Sequence, residues 1–139
     1  MTSPTIAPPL AGNTLGSAAN NFVIAEWRDP GGPPGQRRLI APPHVHHHDD
    51  EAWYVLEGAL VVQMDDKEVE VRAGSGLLVP HGTAHTYWNP GPGPTRYLLI
   101  MTANIFQLIQ DIHAMKERTP AALEAVFRKY DSKLMKAEK

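Results

Sequence analysis

The chain has 139 residues, 42% of them apolar and 20% charged, with a formal net charge of −2 when its histidines are neutral. That length suits one domain able to bury a single core without staples, and the composition excludes wholesale disorder. No basic run exceeds the pair Arg37–Arg38, so neither a nucleic acid nor an acidic membrane surface is an expected partner, and the lack of cysteine excludes disulfides, thiolate nucleophiles and thiolate metal sites.

The N-terminus has neither a basic n-region nor an apolar h-region, so a secretory signal is not indicated. No apolar run is long enough to cross a bilayer. The expectation is a cytoplasmic protein with no membrane partner.

Residues 1–20 are rich in Pro, Gly, Ser, Thr, Asn and Ala and carry no charged side chain. They read as a flexible arm, free or lying across a neighbouring subunit. Residues 21–103 read as short strands. Phe22–Trp27 is apolar and aromatic and stops at the breaker cluster DPGGPPG, residues 29–35. Gln36–Ala41 reads as a strand ended by Pro42–Pro43. Glu51–Leu56 and Ala59–Met64 follow, separated by Glu57–Gly58. Asp65–Asp66 turns the chain into Lys67–Arg72, where Val69 and Val71 share one face and Glu68, Glu70 and Arg72 the other. Leu77–Val79, Ala84–Trp88 and Thr95–Thr102 complete the series, the last two divided by NPGPGP. Turn signals about every 8 to 12 residues point to an all-β barrel or sandwich.

After Ala103 the period changes. Ile105, Leu108, Ile109, Ile112 and Met115 recur at helical spacing. Thr119 and Pro120 read as N-cap and first helical residue, and Leu123, Val126, Phe127, Tyr130 and Leu134 continue a second helix to about residue 135. Residues 104–139 are therefore a helical extension that closes off or packs against the barrel.

The stretch PPHVHHHDDEAWYVLEG, residues 42–58, holds four of the seven histidines. Residues two apart in a strand share a face, so His44 and His46 point the same way and Val45 the other. Glu51 opens the next strand, and on a paired neighbour it can face the same point. His85, delivered by the turn PHGTAH, is the candidate third imidazole. Imidazole nitrogen with carboxylate oxygen suits one divalent transition metal ion: Fe, Mn, Ni, Cu, Co or Zn. Calcium and magnesium prefer all-oxygen sites. The competing reading is a solvated polar turn. By the same parity, Trp53 and Val55 share the Glu51 face, and Tyr87 and Asn89 the His85 face. Trp53 and Tyr87 are thus either substrate-pocket walls or barrel filling.

The sequence resembles the cupin superfamily, in particular small single-domain cupins that are quercetin-dioxygenase-like. Its first motif is met by His44, His46, Glu51 and Gly58, and its second by Gly74, Pro80, Gly82, His85 and Asn89, with fifteen residues between them. One position departs: Arg38 stands where the family usually has glycine. The resemblance covers about residues 22–102. It implies a jelly-roll barrel, or double-stranded β-helix; the two C-terminal α-helices read from the periodicity lie outside it. It also implies an interior metal held by His44, His46, Glu51 and His85, and a homodimer. His47 and His48 read as solvated turn residues or as acid/base groups at the pocket rim. His81 reads as structural, and His113 as a helix-surface residue.

Three functions fit. One is a metal-dependent dioxygenase (an oxidoreductase) whose small-molecule substrate chelates the ion, with Glu51 doubling as catalytic base. The second is a metal-dependent isomerase or decarboxylase of a small carbonyl or sugar compound. The third is a non-catalytic module that binds a metal or small ligand. Fold does not choose among them.

Overall fold

A computed structural model describes residues 6, 7 and 9–135. Residues 1–5, 8 and 136–139, parts of the expected arm and helical extension, lie outside the described residues. Two antiparallel sheets of five strands face each other. The first is ordered β1 (Thr14–Leu15), β2 (Phe22–Asp29), β9 (Thr95–Thr102), β4 (Glu51–Glu57) and β7 (Gly76–Val79). The second is ordered β10 (Ser132–Leu134), β3 (Leu39–His46), β8 (His85–Trp88), β5 (Ala59–Met64) and β6 (Lys67–Arg72). Helices α1 (Ala103–Ala114) and α2 (Pro120–Lys129) lie between β9 and β10 in the chain. The fold is the expected all-β double-stranded β-helix with two C-terminal helices.

The alternation in each strand decides what lies between the sheets. Val23 and Ala25 of β2, Tyr97, Leu99 and Met101 of β9, and Trp53 and Val55 of β4 are buried from the first sheet. Leu60 and Val62 of β5, Val71 of β6 and Tyr87 of β8 meet them from the second. Removing this apolar surface from water is the main stabilising term. Gly58, between β4 and β5, has φ +78, and a Cβ there would stand 2.5 Å from the Pro94 carbonyl oxygen. Only glycine fits that crossing of two backbones.

Two elements differ from the sequence expectation. Pro42 and Pro43 do not end a strand, because β3 runs through them to His46. The β3–β8 register slips between Ala41 and His44, so the prolines occupy a bulge, where a missing N–H breaks no regular ladder bond. At the other end, α2 stops at Lys129 rather than continuing to about residue 135. Asp131 takes a left-handed φ of 57, a helix-ending conformation that Asp tolerates better than most residues. The chain then turns back as β10, pairing Ser132 with His46 and Leu134 with His44. The apolar residue Leu134 that extended the helical pattern belongs to this strand.

Both helix starts follow their local chemistry. The Thr102 hydroxyl accepts from the Ile105 N–H at 3.2 Å, and the Thr119 hydroxyl from the Ala122 N–H at 3.1 Å, with Pro120 at the first helical position. The β3–β4 corner is fastened to the end of α2: the Asn104 amide donates to Asp49 Oδ2 and to the Tyr130 carbonyl, both at 2.8 Å. The His47 N–H reaches the Asp131 carbonyl at 3.0 Å. Within the stretch read as an arm, Thr14–Leu15 pairs with β2. No helix of the described residues is long and apolar enough to cross a membrane.

Candidate metal centre

The four side chains singled out by parity and motif come together. His44 and His46 end β3, His85 opens β8 opposite His44, and Glu51 opens β4 in the facing sheet. All four are buried, and one donor atom from each lies within 4.8 Å of the others. His44 Nε2 and His46 Nε2 are 3.1 Å apart, His85 Nε2 and Glu51 Oε1 2.9 Å, and His46 Nε2 and Glu51 Oε1 3.6 Å. With metal–nitrogen bonds of about 2.1 Å, neighbouring donors around an octahedral ion stand about 3.0 Å apart. The spacing fits such an ion.

Hydrogen bonding behind the rings makes the fit more specific. His44 Nδ1–H donates to the Pro42 carbonyl at 2.6 Å, and His85 Nδ1–H to the Thr83 carbonyl at 2.9 Å. A carbonyl only accepts, so each of these Nδ1 atoms carries the proton. His46 Nδ1 meets Ser132 Oγ at 2.6 Å, and Ser132 sends its own hydrogen to the Tyr130 carbonyl at 3.2 Å. Ser132 therefore accepts from His46. All three imidazoles turn their Nε2 atoms toward one another and toward a carboxylate. With each Nδ1 proton committed to an acceptor behind its ring, Nε2 is the atom each neutral ring would offer to a cation placed between them and the carboxylate.

Charge states agree with that arrangement. Burial, reinforced by His85 and His46, pushes His44 down to about 3, so its imidazole is uncharged at neutral pH. Burial would raise the Glu51 carboxyl, but its His46 and His85 partners outweigh it and hold the group well below its ordinary value. The rings are held sideways as well. Phe127 of α2 packs edge-on against His44 with centroids 5.4 Å apart, and Trp53 against His85 at 5.6 Å.

His44, His46 and Glu51 face a cavity of about 440 Å³ between the barrel and the two helices. Leu99 and Tyr97 of β9, Ile105, Leu108 and Ile109 of α1, and Leu123 and Phe127 of α2 form much of its wall. The helices thus shape the cavity rather than merely packing on the barrel. Tyr87 lines it. Trp53 is 1% exposed and packs in the core beneath, and its indole Nε1 has no hydrogen-bond partner.

Asn89 turns away from the cavity. Its side chain accepts from the Gly91 N–H at 3.0 Å and donates to the Gly93 carbonyl at 2.8 Å, closing the 89–94 loop. The strand ends at Trp88, so strand parity no longer governs the next residue. His47 and His48 are exposed. His48 pairs with Asp131, which raises its pKa. His81 is bound to Asp50 through its backbone N–H and its Nδ1, both at 2.8 Å, a turn clamp. His113 is exposed on α1 at the cavity margin, 6.0 Å from the Trp27 ring centre. Ser132 and Phe127 are the functional neighbours that sequence reasoning missed. Ser132 lies 86 residues from the histidine it supports, and no local periodicity joins them.

A two-sheet antiparallel barrel with three imidazoles and a carboxylate converging inside it defines a metal-site protein of the double-stranded β-helix class. Comparison with known proteins makes this specific: residues 33–101 match the Cupin_2 model, described as "Cupin domain", and the chain belongs to that family. Similar proteins include "Polyketide synthase CurC" of Streptomyces cyaneus, 35% identical over 60% of this chain and 49% of that protein. Quercetin 2,3-dioxygenase of Bacillus subtilis is 36% identical over 40% of this chain and 16% of that protein. Among solved structures, a sugar phosphate isomerase of the cupin superfamily from Silicibacter pomeroyi matches with a TM-score of 0.51 and 26% identity, over 60% of this chain and 51% of that one. The chain spans about half the length, or less, of these relatives.

Proposed function

We propose that the chain is a metal-dependent, dioxygenase-like enzyme acting on a small, largely apolar organic substrate that chelates the ion through adjacent oxygens. The carrying observation is that three Nε2 atoms and one carboxylate meet at the inner end of a mainly apolar cavity. When bound, a divalent transition ion supplies Lewis acidity toward an oxygen-donor substrate and, if redox-capable, an electron path to dioxygen. The chain's own residues do the rest. His44, His46, Glu51 and His85 hold the ion, and the apolar wall orients a flat substrate and excludes water. Glu51, an ionised carboxylate at the cavity floor, takes the proton of an enolic or catecholic hydroxyl. The likeness to a quercetin dioxygenase and to a polyketide protein supports a substrate of this class.

A metal-dependent isomerase is the second reading, favoured by the likeness to a sugar phosphate isomerase. A polyol needs a partner for each hydroxyl it buries; the wall of Leu99, Ile105, Leu108, Ile109 and Phe127 offers none, and the partners available are Arg28, Asp29, Arg118 and the two tyrosines elsewhere on the lining. Oxygen-electrode assays with flavonols, catechols and enolised diketones, on protein loaded in turn with Fe, Mn, Ni, Cu, Co and Zn, separate the readings. The expected result is oxygen uptake with a redox-capable ion and none with zinc. Anaerobic turnover of a sugar phosphate by the zinc form would establish the isomerase instead. Ligand binding without turnover would make the chain a binding module.

We also assign the chain a homodimer built on the outer face of the first sheet. Ile24, Ile100, Ala52 and Leu78 stand side by side across four strands of that face, with Leu98 and Tyr54 in the adjacent row. Leu78 is 58% exposed. Ile100→Lys is expected to give a monomer by light scattering, whereas Glu70→Lys on the other sheet leaves the dimer intact.

A further inference from the structure

The cavity holds polar side chains that the metal site does not use. Tyr87 reaches it from β8 of the second sheet and Tyr97 from β9 of the first. Their hydroxyl oxygens are 3.0 Å apart, and the rings meet edge to face with centroids at 5.8 Å. Both residues are at least nine-tenths buried. Two hydroxyls carry two hydrogens, and the contact between them uses one. Among the described residues neither hydroxyl has a further acceptor, so one O–H is left without one.

We infer that Tyr87 and Tyr97 form a hydrogen-bond-donating subsite for a substrate oxygen that the metal does not hold. The preferred ligand is then a flat chelating compound with a further hydroxyl, carbonyl or acid oxygen placed away from the chelating pair. This inference rests on the chelating-substrate reading given above and assigns part of the specificity within it. A wall built only for packing would use phenylalanine at both positions, because an unspent hydroxyl in an apolar surround costs free energy. The pairing also strengthens the free donor, since an oxygen that accepts one hydrogen bond gives its own hydrogen more readily. Burial raises both phenols above their ordinary value, so each keeps its proton and remains a donor.

The test uses zinc-loaded protein, which holds a chelator without redox turnover. Dissociation constants are measured by fluorescence for 3-hydroxyflavone and for its 7-hydroxy and 4′-hydroxy derivatives. Wild type is expected to bind one derivative about tenfold more tightly than the parent. In the double variant, and in whichever of Tyr87→Phe and Tyr97→Phe removes the hydroxyl that donates to the ligand, that gain falls below about twofold while parent affinity and zinc content stay as in wild type. A merely structural role would weaken parent and derivative alike. Equal binding of all three probes by wild type overturns the subsite, as does a gain that survives in both single variants, which also decide the matter if the double variant does not fold. Failure of the zinc protein to bind even 3-hydroxyflavone is a different result. It sinks the chelating-substrate reading itself, and the subsite with it.

Discussion

The two sheets contribute opposite things to the molecule. The second supplies three imidazoles and turns Gln63, Glu68, Glu70 and Arg72 outward, with Arg37 lying 4.1 Å above the Trp88 ring. The first supplies one carboxylate and carries a row of aliphatic side chains on its outer face. Neither sheet holds a complete site. Imidazoles gathered on one layer meet a carboxylate on the other only when the layers pack, so an ion held there would tie the layers together. The difference teaches that the site is a product of packing as well as of motif, and that metal binding and barrel stability are linked.

The most severe break in this division is the loss of a ligand. His46→Ala or His85→Ala on the imidazole side, and Glu51→Ala on the carboxylate side, should each weaken metal binding by more than about a hundredfold. Equilibrium dialysis followed by elemental analysis measures it, and undiminished binding in all three variants would refute the site. Ser132→Ala sharpens the contrast, because it removes support from the second sheet only. Metal affinity should fall by about ten- to a hundredfold with the ligands intact.

Acid is a gentler probe of the metal-free protein. Below pH 6.5 an unfolded chain protonates the His44 imidazole, while the folded chain resists until about pH 3. Its share of stability is therefore complete above pH 6.5 and drains away as pH falls toward 3. Urea unfolding at pH 5 should give a free energy roughly 2 kcal/mol below that at pH 7. An unchanged midpoint would mean that His44 is not held neutral. The smallest effect belongs to the exposed pair of His48 and Asp131. His48→Ala should leave metal content and thermal midpoint unchanged within error.

The barrel was legible because strand alternation is local. Val69 and Val71 against Glu68 and Glu70 can be read from six residues, and His44 with His46 from three. The motif spacing then joined two distant ligand groups. Long-range pairing was not legible. Leu134 satisfies a helical repeat as well as a strand position, and nothing nearby announces that Asp131 adopts a left-handed conformation and sends the chain back along β3. Ser132, buried beneath His46, is invisible for that reason. Pro42–Pro43 misled in the opposite sense, since a bulge hides two strand-breaking residues inside a strand. Thr119–Pro120, by contrast, marked its helix start correctly, because capping depends on neighbours in the chain.

Those prolines have one more effect. Among the described residues β10 accompanies β3 from His44 to His46, and the Met135 N–H reaches the Pro43 carbonyl at 2.9 Å, beyond which that flank of β3 has no paired strand. A stray extended peptide arriving there finds one donor missing, because Pro43 faces that edge and has no amide hydrogen to offer. The proline pair that bends the ligand strand thus also makes its open edge a poorer template for a further strand.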